Sequence, residues 1–153
     1  MIRPATEADL PALVAMMAAF EAHLNTIDPV NPTAIGDAAR KAVARFALGP
    51  APCRGVFLVE RDEVSVGFLA WQEIVWMDDG APALWVSDLY VAPEARAAGT
   101  GRALMDAACS AVRERGGRRV VFTVWQRNAA ARAFYTALGA DVVREEILLS
   151  LPV

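Results

Sequence analysis

The chain predicts an α/β fold, a mixed and mostly antiparallel central sheet flanked by helices on both faces. Three observations carry that prediction. Residues 10–46 contain two stretches of helical periodicity. Strand-like runs on either side of a short polar turn follow between Val56 and Trp76, which reads as a hairpin and so as antiparallel pairing. A strand, a helix and a strand then succeed one another over residues 84–125, which calls for a parallel pair joined by a crossover. The implied order is β-α-α-β-β-β-α-β-α-β.

Each element has its own justification. Residues 1–3 read as a short first strand. Thr6 and Asp9 resemble a capping box, after which Leu10, Leu13, Val14, Met17 and Phe20 recur at helical spacing. Asp28-Pro29 and Asn31-Pro32 are turn signals that end this helix near Asn25. Ile35, Ala39, Ala42, Val43 and Phe46 mark a second helix, closed by Gly49-Pro50. Val56 to Glu60 is a strand, Arg61-Asp62-Glu63 a turn, and Val64 to about Trp76 the partner strand. Asp78-Asp79-Gly80 turns the chain into a nearly all-apolar strand from Leu84 to Val91. Thr100 to about Arg115 is a helix with the apolar face Leu104, Ala107, Ala108, Ala111 and Val112. Gly116-Gly117 stops it, and Val120 to Trp125 reads as a buried strand. Asn128 to Leu138 is a further helix ended by Gly139, and Val142 to Leu151 a last strand.

Composition narrows the function classes. The 153 residues are 56% hydrophobic and 22% charged, so residues 1–153 read as a single domain and disorder is excluded. The balance of 15 basic and 18 acidic residues gives a net charge of −3. That is poor material for a nucleic-acid binder, which needs a basic stripe. Two cysteines, Cys53 and Cys109, make no disulfide scaffold, and the lone His23 no metal cluster. Met1-Ile2-Arg3-Pro4 lacks the plan of a signal peptide, and no apolar run reaches the length of a membrane span. The expectation is a cytoplasmic protein with no metal, no nucleic-acid partner and no membrane partner.

The most informative stretch runs from Asp88 to Leu104. A buried strand passes through a short loop into a helix whose entrance holds Gly99 and Gly101, with Arg96 and Arg102 beside them. The first turn of a helix has unpaired N–H groups and the positive end of the dipole, so it can hold a phosphate. Glycine lets a phosphate oxygen approach the backbone. No Gly-Lys-Ser/Thr follows, so this is no nucleotide-triphosphate loop, and Leu104 replaces the third glycine of the dinucleotide fingerprint.

Arg96-Ala97-Ala98-Gly99-Thr100-Gly101 resembles motif A of the GCN5-related N-acetyltransferases, whose pattern is Arg/Gln-x-x-Gly-x-Gly/Ala. The match extends upstream through Leu89-Tyr90-Val91 and Ala92-Pro93-Glu94. Downstream, Asn128 to Ala140 is similar to the family's motif B. Element order and length agree too, so the resemblance covers nearly the whole chain and implies the acyl-CoA N-acyltransferase fold. It also implies roles by position. Leu89, Tyr90 and Val91 would pair with the pantetheine arm of acetyl-CoA. The N–H groups of Ala97, Ala98, Gly99, Thr100, Gly101 and Arg102 would cradle the pyrophosphate, with Arg96 opening the loop. Asn128 would bind near the pantetheine portion, and Tyr135 would protonate the departing thiolate. Ala97 departs from the glycine the family often has there.

The residues themselves leave alternatives open. Asn128 and Tyr135 are seven positions apart and share one helix face. Asn128 also reads as a plain N-cap, and Tyr135 as core. Asp88 lies inside an apolar strand, where a carboxylate must be paired or have its pKa raised. It is either a structural hydrogen-bonder or a general base for an ammonium. Glu21, Glu73, Asp78 and Asp79 read as surface charges, Trp71, Trp76 and Trp85 as core or pocket wall, and Arg113, Arg115, Arg118 and Arg119 as a solvated helix end. Neither cysteine has a histidine beside it, so direct attack in a ternary complex is preferred to an acetyl-cysteine route.

The expected activity is therefore acetyl-CoA-dependent N-acetylation of a primary amine, with a small cationic acceptor and a homodimeric enzyme. The alternatives are a protein N-terminal or lysine acetyltransferase and a non-catalytic acyl-CoA-binding regulatory domain.

Overall fold

A computed structural model describes residues 1–30, 32–51, 53–76, 79–143 and 148–151. The chain divides into two compact units, Met1–Thr123 and Val124–Val153. In the first unit the elements are β1 (Ile2–Pro4), α1 (Leu10–Ile27), α2 (Asp37–Leu48), β2 (Arg54–Arg61), β3 (Val64–Trp76), β4 (Ala81–Val91), α3 (Thr100–Glu114) and β5 (Arg119–Phe122). The strands form one sheet in the order β1-β2-β3-β4-β5. Neighbours pair antiparallel as far as β4, and β4 pairs with β5 in parallel. The hairpin and the crossover read from the sequence are both present.

Helices α1 and α2 cover one face of the sheet. Leu13, Met16 and Ala44 pack there with Val56, Leu58, Phe68 and Tyr90. Phe20 sets its ring against Phe68 at 6.3 Å and Tyr90 at 5.8 Å between centroids. Helix α3 buries Leu104, Met105, Ala108, Ala111 and Val112. Each fully buried large side chain contributes about 1.5–3 kcal/mol.

With the 3-10 turn before it, α1 extends over Glu7–Ile27, and by length and composition alone this helix could cross a membrane, an 18-residue window of it having a mean hydropathy of 1.3. No uninterrupted apolar run signals this, because Glu7, Asp9 and Glu21 break the sequence. Leu13 and Met16 are buried in the core, and Leu10, Val14, Met17 and Phe20 pack against it.

Helix α2 presents a different face from the one its periodicity suggests. Ile35, Val43 and Phe46 are exposed, while Ala44 is fully buried and Ala47 and Leu48 pack on the core. The alanine lets the helix backbone approach the sheet. Phe46 instead lies under the Arg54 guanidinium at 3.9 Å, and Arg54 Nε donates to the Phe46 carbonyl at 2.8 Å. A cation over the ring face shields an aromatic that the core cannot take.

In the second unit, α4 (Ala129–Ala137) follows Asn128, and Gly139 closes it with φ of 86°. Strand β5 ends at Phe122, short of Trp125. The expected strand over 142–151 is absent from the described residues of that segment, 142–143 and 148–151. Its middle, residues 144–147, lies outside the described residues.

Candidate active site

Strand β4 is interrupted where chemistry was anticipated. Ala70 pairs with Asp88 but Trp71 pairs with Val86, so Ser87 is the extra residue of a β-bulge. Strand β5 pairs only with Ala83 to Val86, on the near side of that bulge. Past it, the outer edge of β4 has no strand partner among the described residues. The Ala92 N–H donates to the Val66 carbonyl at 2.9 Å. Antiparallel alternation then turns the main chain of Tyr90 toward β3 and those of Leu89 and Val91 toward the open edge. The Val91 carbonyl accepts from Arg96 Nε at 2.9 Å. Of the three residues expected to offer an edge, Leu89 and Val91 do so. Tyr90 keeps its ring in the core, 5% exposed.

The loop beyond β4 forms a concave backbone. After the 3-10 turn Pro93–Ala95, Ala97 and Gly99 take left-handed φ values of 60° and 76°. An added Cβ at Gly99 would meet nothing within 4 Å, so glycine is favoured there by the backbone angle alone. Ala97 shows why glycine suits its position too, and holds the same region at a cost of about 1–2 kcal/mol. Within α3 the first such bond is from the Ala103 N–H to the Gly99 carbonyl, at 2.9 Å. The N–H groups of Thr100, Gly101 and Arg102 therefore precede the helical ladder. Gly99 supplies no side-chain cap, and no acid stands in the first turn. That backbone, with Arg96 and Arg102 exposed beside it, suits a phosphate.

Asp88 lies on the sheet face of Tyr90 and Ala70, which α1 and α2 cover. Burial raises its pKa, and the neighbouring Ser87 hydroxyl lowers it by less. It has no ion pair among the described residues. Burial, then the charge of Arg96, lowers the pKa of His23.

In the second unit, Asn128 Oδ1 accepts from the Ala131 N–H at 3.0 Å, the bond of an N-cap. Tyr135 is half-buried with its ring 5.1 Å from that of Phe134, and burial raises its hydroxyl pKa.

A family model described as the acetyltransferase (GNAT) family matches residues 20–140. The chain belongs to this family. It is similar to a mycothiol acetyltransferase of Thermobispora bispora, 38% identical over 88 residues. That alignment covers 56% of this chain and 29% of the mycothiol enzyme, so the chain matches under a third of that relative's length. Solved structures share the fold. A salt-marsh integron cassette protein superposes with a TM-score of 0.82 at 21% identity, covering 99% of this chain and 90% of its own. An aminoglycoside N-acetyltransferase in complex with CoA gives 0.77 at 19%, covering 100% and 95%. The ribosomal-protein-alanine N-acetyltransferase of Brucella melitensis biovar Abortus gives 0.75 at 18%, covering 99% and 98%.

Several other charged residues of this GNAT chain make ion pairs within the fold. Glu21 accepts from the Ile35 N–H and pairs with Arg40, both at 3.0 Å. Glu73 pairs with Arg115 at 3.3 Å and Asp79 with Arg119 at 2.9 Å. Arg115 also lies over Trp71 and Arg119 over Trp76, so these two arginines brace β3 rather than merely solvating a helix end. Asp78 lies outside the described residues. No metal-binding group of His, Cys, Asp and Glu occurs among the described residues. A cleft of about 430 Å³ opens beside Arg54, Phe57, Trp71 and Glu114, sharing no residue with the β4 edge or the phosphate loop. Sequence reasoning missed the bulge at Ser87, which has no residue signature, and Thr100 as a side chain.

Proposed function

We propose that this GNAT chain transfers the acetyl group of acetyl-CoA to a primary amine by direct attack in a ternary complex. One observation carries the reading: an open strand edge at Leu89 and Val91 leads directly to an uncapped helix start at Thr100. An extended pantetheine arm adds to such an edge as a strand would. Its phosphates then meet the N–H groups of residues 97–102, and Asn128 assists with the polar atoms its cap bond does not use.

The amine lone pair attacks the thioester carbonyl, and the C–S bond breaks as the tetrahedral intermediate collapses. Asp88, with its raised pKa, takes the proton that an ammonium must lose before attack. Tyr135, protonated at neutral pH, gives a proton to the departing thiolate, and the second proton lost by the nitrogen, which is cationic after attack, restores it. The net charge of −3 favours a small cationic acceptor.

Acetyl-CoA turnover against a panel of a diamine, a peptide N-terminus and a lysine peptide tests this. Turnover with the diamine is the expected result. Turnover with peptides alone assigns a protein acetyltransferase, and CoA binding without turnover a regulatory domain. Tyr135→Phe is expected to lower kcat by about 10²–10⁴ while cofactor affinity holds. Unchanged turnover in that variant rejects Tyr135 as the acid.

A further inference from the structure

The β2–β3 hairpin is remote in sequence from the phosphate loop yet brings a cation to it. Asp62 and Glu63 turn it with left-handed φ values of 49° and 64°. A two-residue turn of this hand favours Asn-Gly or Gly. The register slips between Val59 and Glu60, so that Val66 is the extra residue of a second bulge, and a bulge re-aims the strand beyond it. Arg61 consequently stands opposite Val64, at the last pair of the hairpin.

From there Arg61 Nη2 donates to Thr100 Oγ1 at 3.1 Å, and Thr100 Oγ1 donates to the Ala95 carbonyl at 2.9 Å. Thr100, the first residue of α3, is 5% exposed. A polar chain thus ties the hairpin end to the helix start and to the turn that opens the loop. Arg61 has no carboxylate partner among the described residues, although Asp62 and Glu63 follow it. A guanidinium at a helix N-terminus faces the positive end of the dipole, and Arg96 and Arg102 flank the same loop. A positive charge at a helix N-terminus is unfavourable until an anion arrives.

We infer that Arg61 is a positioning residue of the phosphate cradle. Through Thr100 it fixes the turn that aims the N–H groups of residues 97–102, and its charge adds to the field that holds the phosphates. This rests on the acetyl-CoA reading above.

Titration calorimetry of the full chain with CoA at a series of salt concentrations tests it. Arg61→Gln is expected to weaken CoA binding about tenfold, the effect of one charged hydrogen bond, and to flatten the dependence of affinity on salt. Arg61→Lys retains the salt dependence and part of the affinity. Thr100→Val weakens binding without altering the salt dependence, and Thr100→Ser restores it. Arg61→Gln with parental affinity, or with a loss that leaves the salt dependence unchanged, overturns the inference. So does Thr100→Val with parental affinity. Melting curves establish that each variant is folded. Arg61 is exposed, so the Arg61 pair decides if Thr100→Val unfolds. A parent chain that fails to bind CoA refutes the acetyl-CoA reading itself, so the two failures are distinct.

Discussion

Burial holds the Asp88 carboxyl above its ordinary value, which sets a stability cost against a catalytic use. An acid with a raised folded-state pKa contributes most below its unfolded value near 4, and that contribution is lost as pH rises through the folded value. At pH 7 the Asp88 carboxylate therefore opposes folding. Asp88→Asn is expected to melt no lower than the parent at pH 7, with any gain shrinking toward pH 4. The same variant removes the low-pH arm of the kcat/KM profile and leaves CoA affinity intact. A lower melting temperature at pH 7 would make Asp88 a structural hydrogen-bonder, and an unaltered pH profile in a folded variant ends its role as base. Gly99→Ala tests the neighbouring loop. Its Cβ meets no atom, so the expected loss is the backbone term of about 1–2 kcal/mol, read by denaturant melting.

Among the elements, the start of the chain is held by charge. Arg3 reaches Asp9 at 2.7 Å and also hydrogen-bonds Glu60, joining β1 to β2 and to the turn before α1. The Arg3 hydrogen bonds keep the Asp9 carboxyl far below the ordinary carboxylate range, with the Thr6 N–H also lowering it. A depressed acid stabilises above its unfolded pKa near 4, and that stability fades as pH falls toward the folded value. Asp9→Asn should cost about 1–2 kcal/mol at pH 7, and the difference from the parent should narrow below pH 3. A constant difference across pH would assign the loss to packing. Elements with strong local signals were legible in the sequence. The apolar periodicity of Leu104, Ala108 and Val112 and the glycines after Arg115 delimit α3, and Val64 to Trp76 reads directly as β3. The α2 face was not legible, because Ala44 buries without a large hydrophobic signature and Phe46 finds cover from Arg54. Nor was the bulge at Ser87, since register depends on partners that no local window contains. Gly99 and Gly101 could be read because their spacing at a helix entrance is a local pattern, and Gly99 does take a positive φ, whereas Arg61 acts through a tertiary contact to a residue 39 positions away.

At the scale of the whole molecule, the fold places a parallel pair beside an otherwise antiparallel sheet, and the β4 edge beyond β5 is where the two modes part. Ligand binding at that edge should stabilise the native state by mass action, so the melting temperature should climb with CoA concentration and saturate. A flat response at millimolar CoA would contradict the site. We propose that the chain works as a homodimer, a cyclic two-fold pair being the commonest closed assembly. Light scattering at micromolar concentration is expected to give twice the chain mass, and a monomeric mass rejects the pairing.

The central claim is acetyl transfer from a thioester held on the β4 edge and the α3 start. The most direct measurement incubates the full chain with acetyl-CoA and a small diamine, following free CoA thiol and acetylated amine together. The account predicts equal amounts of both, saturation in acetyl-CoA, and loss of that saturation when a bulky side chain replaces Gly99. Thiol release without acetylated product, or saturation unaffected by a bulky residue at Gly99, would contradict it.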